Sequence, residues 1–320
     1  MSLRCIVLDD YQGVALGSAD WSPLAGQVDV TVVRDHLADP SALVERLRGH
    51  QIIVAMRERT PLTGEIIAQL PDLRLIVTTG MRNAAIDVTM ATERGVVVCG
   101  TPGASAPTAE LTWALVLAVA RHVVDEATSL RRGGPWQSTV GMDLAGRRLG
   151  VVGLGRIGSA VATIGLAFGM DVTAWSPNLT AARCAEVGVQ LAGGLPDLLR
   201  TSDVVSIHLA LGDRSRGLIG AAELALMKPT AVLINTSRAA IVDRAALLDA
   251  LRTGSIAGAG VDVFDVEPLP FDDPFRTLPT VVATPHLGYV TQRNYTENFF
   301  PAVVEDIVAF LSGAPIRVLD

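Results

Sequence analysis

Short, valine- and isoleucine-rich runs alternate with stretches of helical spacing through the first part of the chain. The runs Arg4–Leu8, Val28–Val33, Ile52–Met56, Leu73–Thr78 and Val96–Cys99 read as strands, and Pro40–Gly49 and Leu62–Leu70 as helices between them. The second helix follows Thr60-Pro61, a capping residue with proline at the first turn. Apolar strands alternating with helices predict a parallel sheet covered on both faces. The pattern changes at Thr101–Pro107, a Pro/Gly/Ala/Ser linker, after which Thr108 is expected to cap a long apolar helix reaching about Val124. A basic, glycine-containing turn, Arg131–Pro135, follows it. A second series begins at Arg148, with strands Leu149–Val152, Asp171–Trp175, Val204–Leu209, Ala231–Asn235, Gly260–Phe264 and Val281–Thr284. A last helix, about Thr291–Phe310, comes after this series is complete and is expected to return to the first domain.

Length and charge narrow the picture. A chain of 320 residues is too long for one ordinary core and implies two domains. The net charge of −7, without blocks of like charge, argues against a nucleic-acid partner, which needs clustered Lys and Arg. The apolar stretch Leu111–Ala120 stops at Arg121, far short of a membrane span, and Cys5–Leu8 meets Asp9 and Asp10 at once, so neither membrane insertion nor a secretory leader is expected. Cys5, Cys99 and Cys184 are odd in number, widely spaced and unlike a metal-ligand set, which fits thiols in a reducing cytoplasm and no bound metal.

Two groups of residues carry chemistry. Gly153-Leu154-Gly155-Arg156-Ile157-Gly158 stands between a strand and a helical pattern, Ser159–Phe168, the context that a dinucleotide-binding glycine loop requires. Gly153 would allow the tight turn, Gly155 the approach of a pyrophosphate, and Gly158 close packing of helix on strand, with the helix N-terminus facing the anion. Beyond three later strands stand Arg238, Glu267 and His286. Taken singly, each has a bland reading: a surface arginine, a solvated carboxylate, a capping histidine. Together, at strand ends on one side of one sheet, they supply a cation for a carboxylate, a partner for an imidazole, and a proton donor.

These segments resemble the D-isomer-specific 2-hydroxyacid dehydrogenases along essentially the whole chain. The resemblance runs through Arg59–Thr63, Thr108–Leu111, Gly153–Gly158, Asn235–Arg238, Val261–Pro268 and Thr284–His286, in matching order and spacing. It implies an α/β protein of two doubly wound parallel-sheet domains. A Rossmann cofactor domain, 101–288, would be inserted into a discontinuous flavodoxin-like substrate domain, 1–100 and 289–320. It implies His286 as general acid/base, Glu267 as its partner favouring the imidazolium, Arg238 as the substrate-carboxylate cation and Asp262 as holder of the nicotinamide amide. The cofactor-binding set on this reading is Gly153, Gly155, Arg156, Ile157, Gly158, Ser176, His208, Thr236, Ser237, Asp262, His286 and Gly288. The substrate set is Arg57, Gly80, Met81, Arg82, Asn83 and Arg238, with the backbone of Gly80–Asn83 as a carboxylate loop. The family also implies a homodimer, and the cysteine reading a cytoplasmic one.

The chain departs from the family pattern at Ala239, where glycine usually follows the arginine, and at Ala210, where proline usually follows His208-Leu209. Arg82 and Asn83 stand where small residues are usual. Arg57 and Arg59 should share one side of an extended chain with Glu58 on the other, so that Arg57 or Arg82 could meet a second anionic group; the alternative is pairing with Glu58 or Glu65. Ser176 ends the strand where an acid would select NAD, and no Arg or Lys follows before Arg183, so both NAD and NADP are expected to serve. Two rivals remain in view: a nucleotide-sensing corepressor that binds peptides, and a formate or phosphite dehydrogenase. The Glu267–His286 pair weighs against formate chemistry, which needs no acid of that kind.

Overall fold

The computed structural model describes residues 2–319 and divides into two compact units, Met1–Ala104 with Val290–Asp320 and Ser105–Tyr289. The sequence reading divides the chain at 100/101 and 288/289, and its terminal residues, Met1 and Asp320, lie outside the described residues.

In the first unit the strands are β1 (Leu3–Val7), β2 (Val28–Val32), β3 (Ile52–Ala55), β4 (Leu75–Thr78) and β5 (Val97–Gly100), all parallel, in the order β2-β1-β3-β4-β5. This is the flavodoxin-like order. Every residue of β3 and β4 is buried, as strands covered on both faces must be. Helix α1 (Pro40–Leu47) starts where Asp39 accepts from the Ser41 N–H, with proline at its first position. Helix α2 (Gly64–Ala68) is capped by Thr63, not by Thr60 as expected. The Thr60 hydroxyl is spent on buried Asp9 instead, at 2.6 Å. A short helix that the sequence reading omits, α3 (Val88–Glu93), is capped by Asp87.

The second unit opens with α4 (Ala106–Ala120) and α5 (Val123–Arg131). Thr108 lies inside α4 and not at its cap, and its hydroxyl donates to the Gly288 carbonyl at 2.9 Å. The expected single helix to Val124 is broken at His122, whose φ of 50° is left-handed, and α5 then consumes Arg131 from the expected basic turn. The strands are β6 (Arg148–Val152), β7 (Asp171–Trp175), β8 (Gln190–Leu191), β9 (Val204–Ile207), β10 (Val232–Asn235), β11 (Gly258–Val261) and β12 (Val281–Ala283). Their order, β12-β11-β10-β9-β6-β7-β8, is the doubly wound dinucleotide order with one further strand. The six strands expected become seven because β8 is two exposed residues at the edge, too short and too wet to leave an apolar run.

Two apolar clusters cover the faces of this sheet. One joins it to α8 (Leu195–Thr201), α9 (Ala221–Leu224) and α10 (Arg244–Thr253) through Leu198, Leu224, Leu247 and Leu251. The other joins it to α4 and α6 (Arg156–Ala167) through Trp113, Val116 and Val161. Each fully buried aliphatic side chain contributes about 1.5–3 kcal/mol, so the covered sheet is a rigid base for its loops. Between α6 and α8 lies α7 (Ala181–Val187), capped by Thr180 and closed by left-handed Gly188. The last expected helix is in part a π-helical turn, Asn294–Phe299, which runs into α11 (Phe300–Leu311) of the first unit.

Candidate active site

The strand registers of the second unit align Trp175, Val152, Ile207, Asn235, Val261 and Ala283 in one row across six strands. The next residue on each strand therefore lies on the carboxyl rim of the sheet: Ser176, Gly153, His208, Thr236, Asp262 and Thr284. Five of these six belong to the cofactor set read from the sequence. Neighbouring strands lie about 4.8 Å apart, so the row brings residues distant in sequence to adjacent places on one edge.

At one end of the rim, His286 Nδ1 lies 2.7 Å from Glu267 Oε2. The carboxylate is itself held, its other oxygen accepting from the Phe264 N–H at 2.9 Å. Nδ1 is thus committed to Glu267, which leaves Nε2 as the nitrogen that can exchange a proton. The ring is flanked edge-on by Tyr289, with centroids 5.2 Å apart, and the backbone at His286 has a left-handed φ of 52°. That conformation costs a non-glycine residue energy and persists where surrounding bonds impose it. Asp262 supplies them. Its buried carboxylate accepts from the Thr284 hydroxyl at 2.6 Å and from the Leu287 and Gly288 N–H groups at 2.7 and 2.9 Å. Burial raises its pKa, and those three donors oppose the shift. Arg238 follows β10 on the same rim, where the Asn235 side chain clasps the turn by donating to the Arg238 carbonyl and accepting from the Ser237 N–H, both at 3.0 Å.

The glycine loop can be tested by asking what a Cβ would meet. At Gly153, φ is +105° and a Cβ would lie 2.8 Å from the His208 carbonyl; at Gly158 it would lie 1.9 Å from the Gly153 oxygen. Both glycines are required by the protein's own packing. Gly155 is different, because a Cβ there meets nothing within 4 Å. It is the N-cap of the twelve-residue α6, and no side chain caps that helix end. Open space above uncapped N–H groups fits a phosphate group.

In the first unit the expected carboxylate loop follows β4. Gly80 N–H donates to Thr101 Oγ1 at 2.9 Å, while the N–H groups of Met81, Arg82, Asn83 and Ala84 have no partner among the described residues. Asn83 turns inward, its amide donating to the Arg57 carbonyl at 2.6 Å and to Thr78 Oγ1 at 2.8 Å, whereas Met81 and Arg82 are exposed. Arg57 breaks the expected alternation. Its φ of 54° is left-handed, its guanidinium donates to the Thr79 carbonyl at 3.3 Å, and its Nε lies 3.5 Å from Glu58. Arg59 is buried, donating to the Asp9 carbonyl at 2.7 Å and stacked 4.5 Å from the Tyr11 centroid.

The family model described as "D-isomer specific 2-hydroxyacid dehydrogenase, NAD binding domain" matches residues 113–288. A glyoxylate reductase of Aeropyrum pernix is 43% identical over 258 residues, 78% of this chain and 76% of its own length. The chain belongs to the D-isomer specific 2-hydroxyacid dehydrogenase family. A D-3-phosphoglycerate dehydrogenase of Methanocaldococcus jannaschii is 37% identical over 253 residues, but this chain spans only 48% of its length. The crystal structure of a phosphoglycerate oxidoreductase from Vibrio cholerae superposes with a TM-score of 0.93 at 38% identity, covering 98% of this chain and all of that one. The protein is thus an oxidoreductase with two parallel α/β domains, one of them an NAD-binding domain.

Within this dehydrogenase, other rim residues are fixed by neighbours. His208 Nε2 lies 2.8 Å from Ser206 Oγ, and burial pushes its pKa down to about 3, so it is a neutral imidazole. The Thr236 hydroxyl meets that of Thr112 on α4 at 2.8 Å, and Ser237 donates to the Leu209 carbonyl. Arg156 is exposed and Ile157 partly so, at the first turn of α6. The sequence reading missed Asn235, Thr284 and Thr112 as positioning residues. The first two stand inside segments quoted for the resemblance, while Thr112 has no local signal. No helix among the described residues is long and apolar enough to cross a membrane.

Proposed function

We propose that the protein interconverts a small D-2-hydroxy acid and its 2-oxo acid, with His286 as general acid and base. The observation that carries this reading is the 2.7 Å contact between His286 Nδ1 and Glu267, on the rim that also holds the glycine loop. A reduced nicotinamide supplies the hydride. Protonated His286 gives its Nε2 proton to the carbonyl oxygen, which would otherwise accumulate charge, and takes it back in oxidation. Glu267 holds the ring in one orientation through Nδ1. Arg238 grips the substrate carboxylate with its planar fork. Asp262 holds the 284–288 segment that carries His286, besides the amide-binding role read from the sequence.

Both NAD and NADP are taken as cofactors on this reading, since no carboxylate stands at Ser176. The homodimer is supported by apolar surface: α4 leaves Leu117 and Ala118 partly exposed, and Leu130, Trp136 and Val140 are 57%, 78% and 94% exposed. Sedimentation of the purified chain should give twice the chain mass. The decisive assay is reduction of glyoxylate, hydroxypyruvate, pyruvate, oxaloacetate and phosphohydroxypyruvate with each reduced nicotinamide. Absence of turnover on all of them would favour a nucleotide-sensing role instead.

A further inference from the structure

The sequence offers no cation near Ser176 before Arg183, but the fold brings one from elsewhere. The chain leaves β7 through Ser176, Pro177, Asn178, Leu179 and Thr180, a stretch without a carboxylate. In a doubly wound fold the adenosine ribose lies beyond this second strand, where an acid binds the 2′-hydroxyl or an arginine accommodates a 2′-phosphate. Arg214 lies in the loop after β9, yet its Nη2 donates to Asn178 Oδ1 at 3.2 Å. That bond joins the ends of two strands that are not neighbours in the sheet, because β6 lies between them.

The surrounding charges single out Arg214. Arg183 is spent, with Nη1 2.7 Å from Glu186 and Nη2 donating to Ser159 Oγ at 2.9 Å. Arg214 pairs with no carboxylate among the described residues, its neighbour in the chain, Asp213, included. An exposed guanidinium bonded to a side-chain amide, at a strand end that also carries Ser176, offers what a phosphate monoester requires: one fixed positive charge and neutral donors.

We propose that Arg214, reaching across the end of β7 to Asn178, recognises the 2′-phosphate of NADP, with Ser176 and the Asn178 amide donating to the same group. The idea deepens the dual-cofactor reading given above and rests on the second unit as the dinucleotide-binding domain.

Calorimetric titration of the full chain with adenosine 2′,5′-bisphosphate and with 5′-AMP tests it without turnover. The bisphosphate should bind about tenfold tighter, and Arg214→Gln should abolish that margin while leaving 5′-AMP unchanged. Asn178→Asp, which places a carboxylate beside Arg214, should do the same and shift kcat/KM toward NADH. Equal affinity for the two nucleotides in the parent overturns the proposal. So does a loss of both nucleotides in Arg214→Gln, which would mean that the guanidinium stacks on adenine, or a bisphosphate margin that survives the substitution. A margin for the bisphosphate in a protein that reduces no 2-oxo acid would overturn the 2-hydroxy acid reading and leave the role of Arg214 intact.

Discussion

Two stretches of carboxyl rim, one beyond β11 and β12 and one beyond β1 and β3, differ in character. On the rim of the second unit, Glu267 and Asp262 spend their oxygens on orienting His286 and its segment, and the imidazole keeps Nε2 uncommitted. Beside β1 and β3 of the first unit, the polar groups satisfy one another. Asp9, 1% exposed, accepts from Thr60 at 2.6 Å and lies 3.1 Å from His36 Nδ1, while Arg59 donates to the Asp9 carbonyl. Parallel topology brings polar residues to a rim in both cases. What separates a reactive rim from a structural one is whether any donor or acceptor remains after the protein's own bonds are made.

Substitutions can break that contrast. The largest effect is expected at His286→Ala, which should lower kcat by roughly 10²–10⁴-fold while nucleotide affinity and the urea midpoint hardly move. A variant with normal turnover would remove His286 from the chemistry. Asp9→Ala should behave in the reverse sense. It leaves buried donors unpaired and should cost about 3 kcal/mol of stability, read as a lower urea midpoint, with kcat of the folded fraction retained.

A third, smaller effect separates the units by pH. In the first unit, burial raises the pKa of Asp306 to about 7, against the opposing pull of Arg317, whose Nε donates to it at 2.9 Å. An unfolded Asp titrates near ~3.9, so the folded state holds this proton more tightly. The contribution is therefore fully present below about pH 4 and is lost as pH rises through about 7. Asp306→Asn should flatten the decline in urea midpoint across that window; an unchanged slope would place its origin elsewhere. The smallest effect concerns exposed Arg82. Arg82→Ala should reduce kcat/KM for oxaloacetate about fivefold or less relative to pyruvate, the scale of a solvent-exposed charge pair. Equal changes for both acids would exclude a second-anion role.

Much of this was legible in the sequence, because period and position report on buried strands and their ends. Runs such as Ile52–Ala55 and Val204–Ile207 are buried along their whole length, so their residues announce them. The residues just past such runs then lie on the rim, which is why Arg238, Glu267 and His286 stand out, whereas Gly153 comes from the glycine pattern and Asp262 from the family resemblance alone. The reading failed where one side chain chooses between two partners. Thr60 and Thr63 are both capping residues, and only the buried Asp9 decides that Thr60 is taken. It also failed for Arg57, where a single left-handed residue cancels the alternation assumed for an extended chain. Arg214 was beyond reach for another reason: it lies 36 positions from Asn178, and no local pattern carries that contact.

The discontinuity of the first unit has a consequence during synthesis. Helix α11 packs against β4 and carries the buried Phe300, Val303 and Ile307, and Val318 bridges Cys99 on β5. The ribosome makes β1–β5 first and α11 last, with the whole of Ser105–Tyr289 between them. At ordinary translation speeds that interval lasts about 10–40 s. For that time the nascent first sheet lacks part of its cover, while the second unit is continuous and can close as it emerges. Chaperone dependence and aggregation of incomplete chains should therefore track the first sheet, although the dinucleotide-binding half is the larger piece.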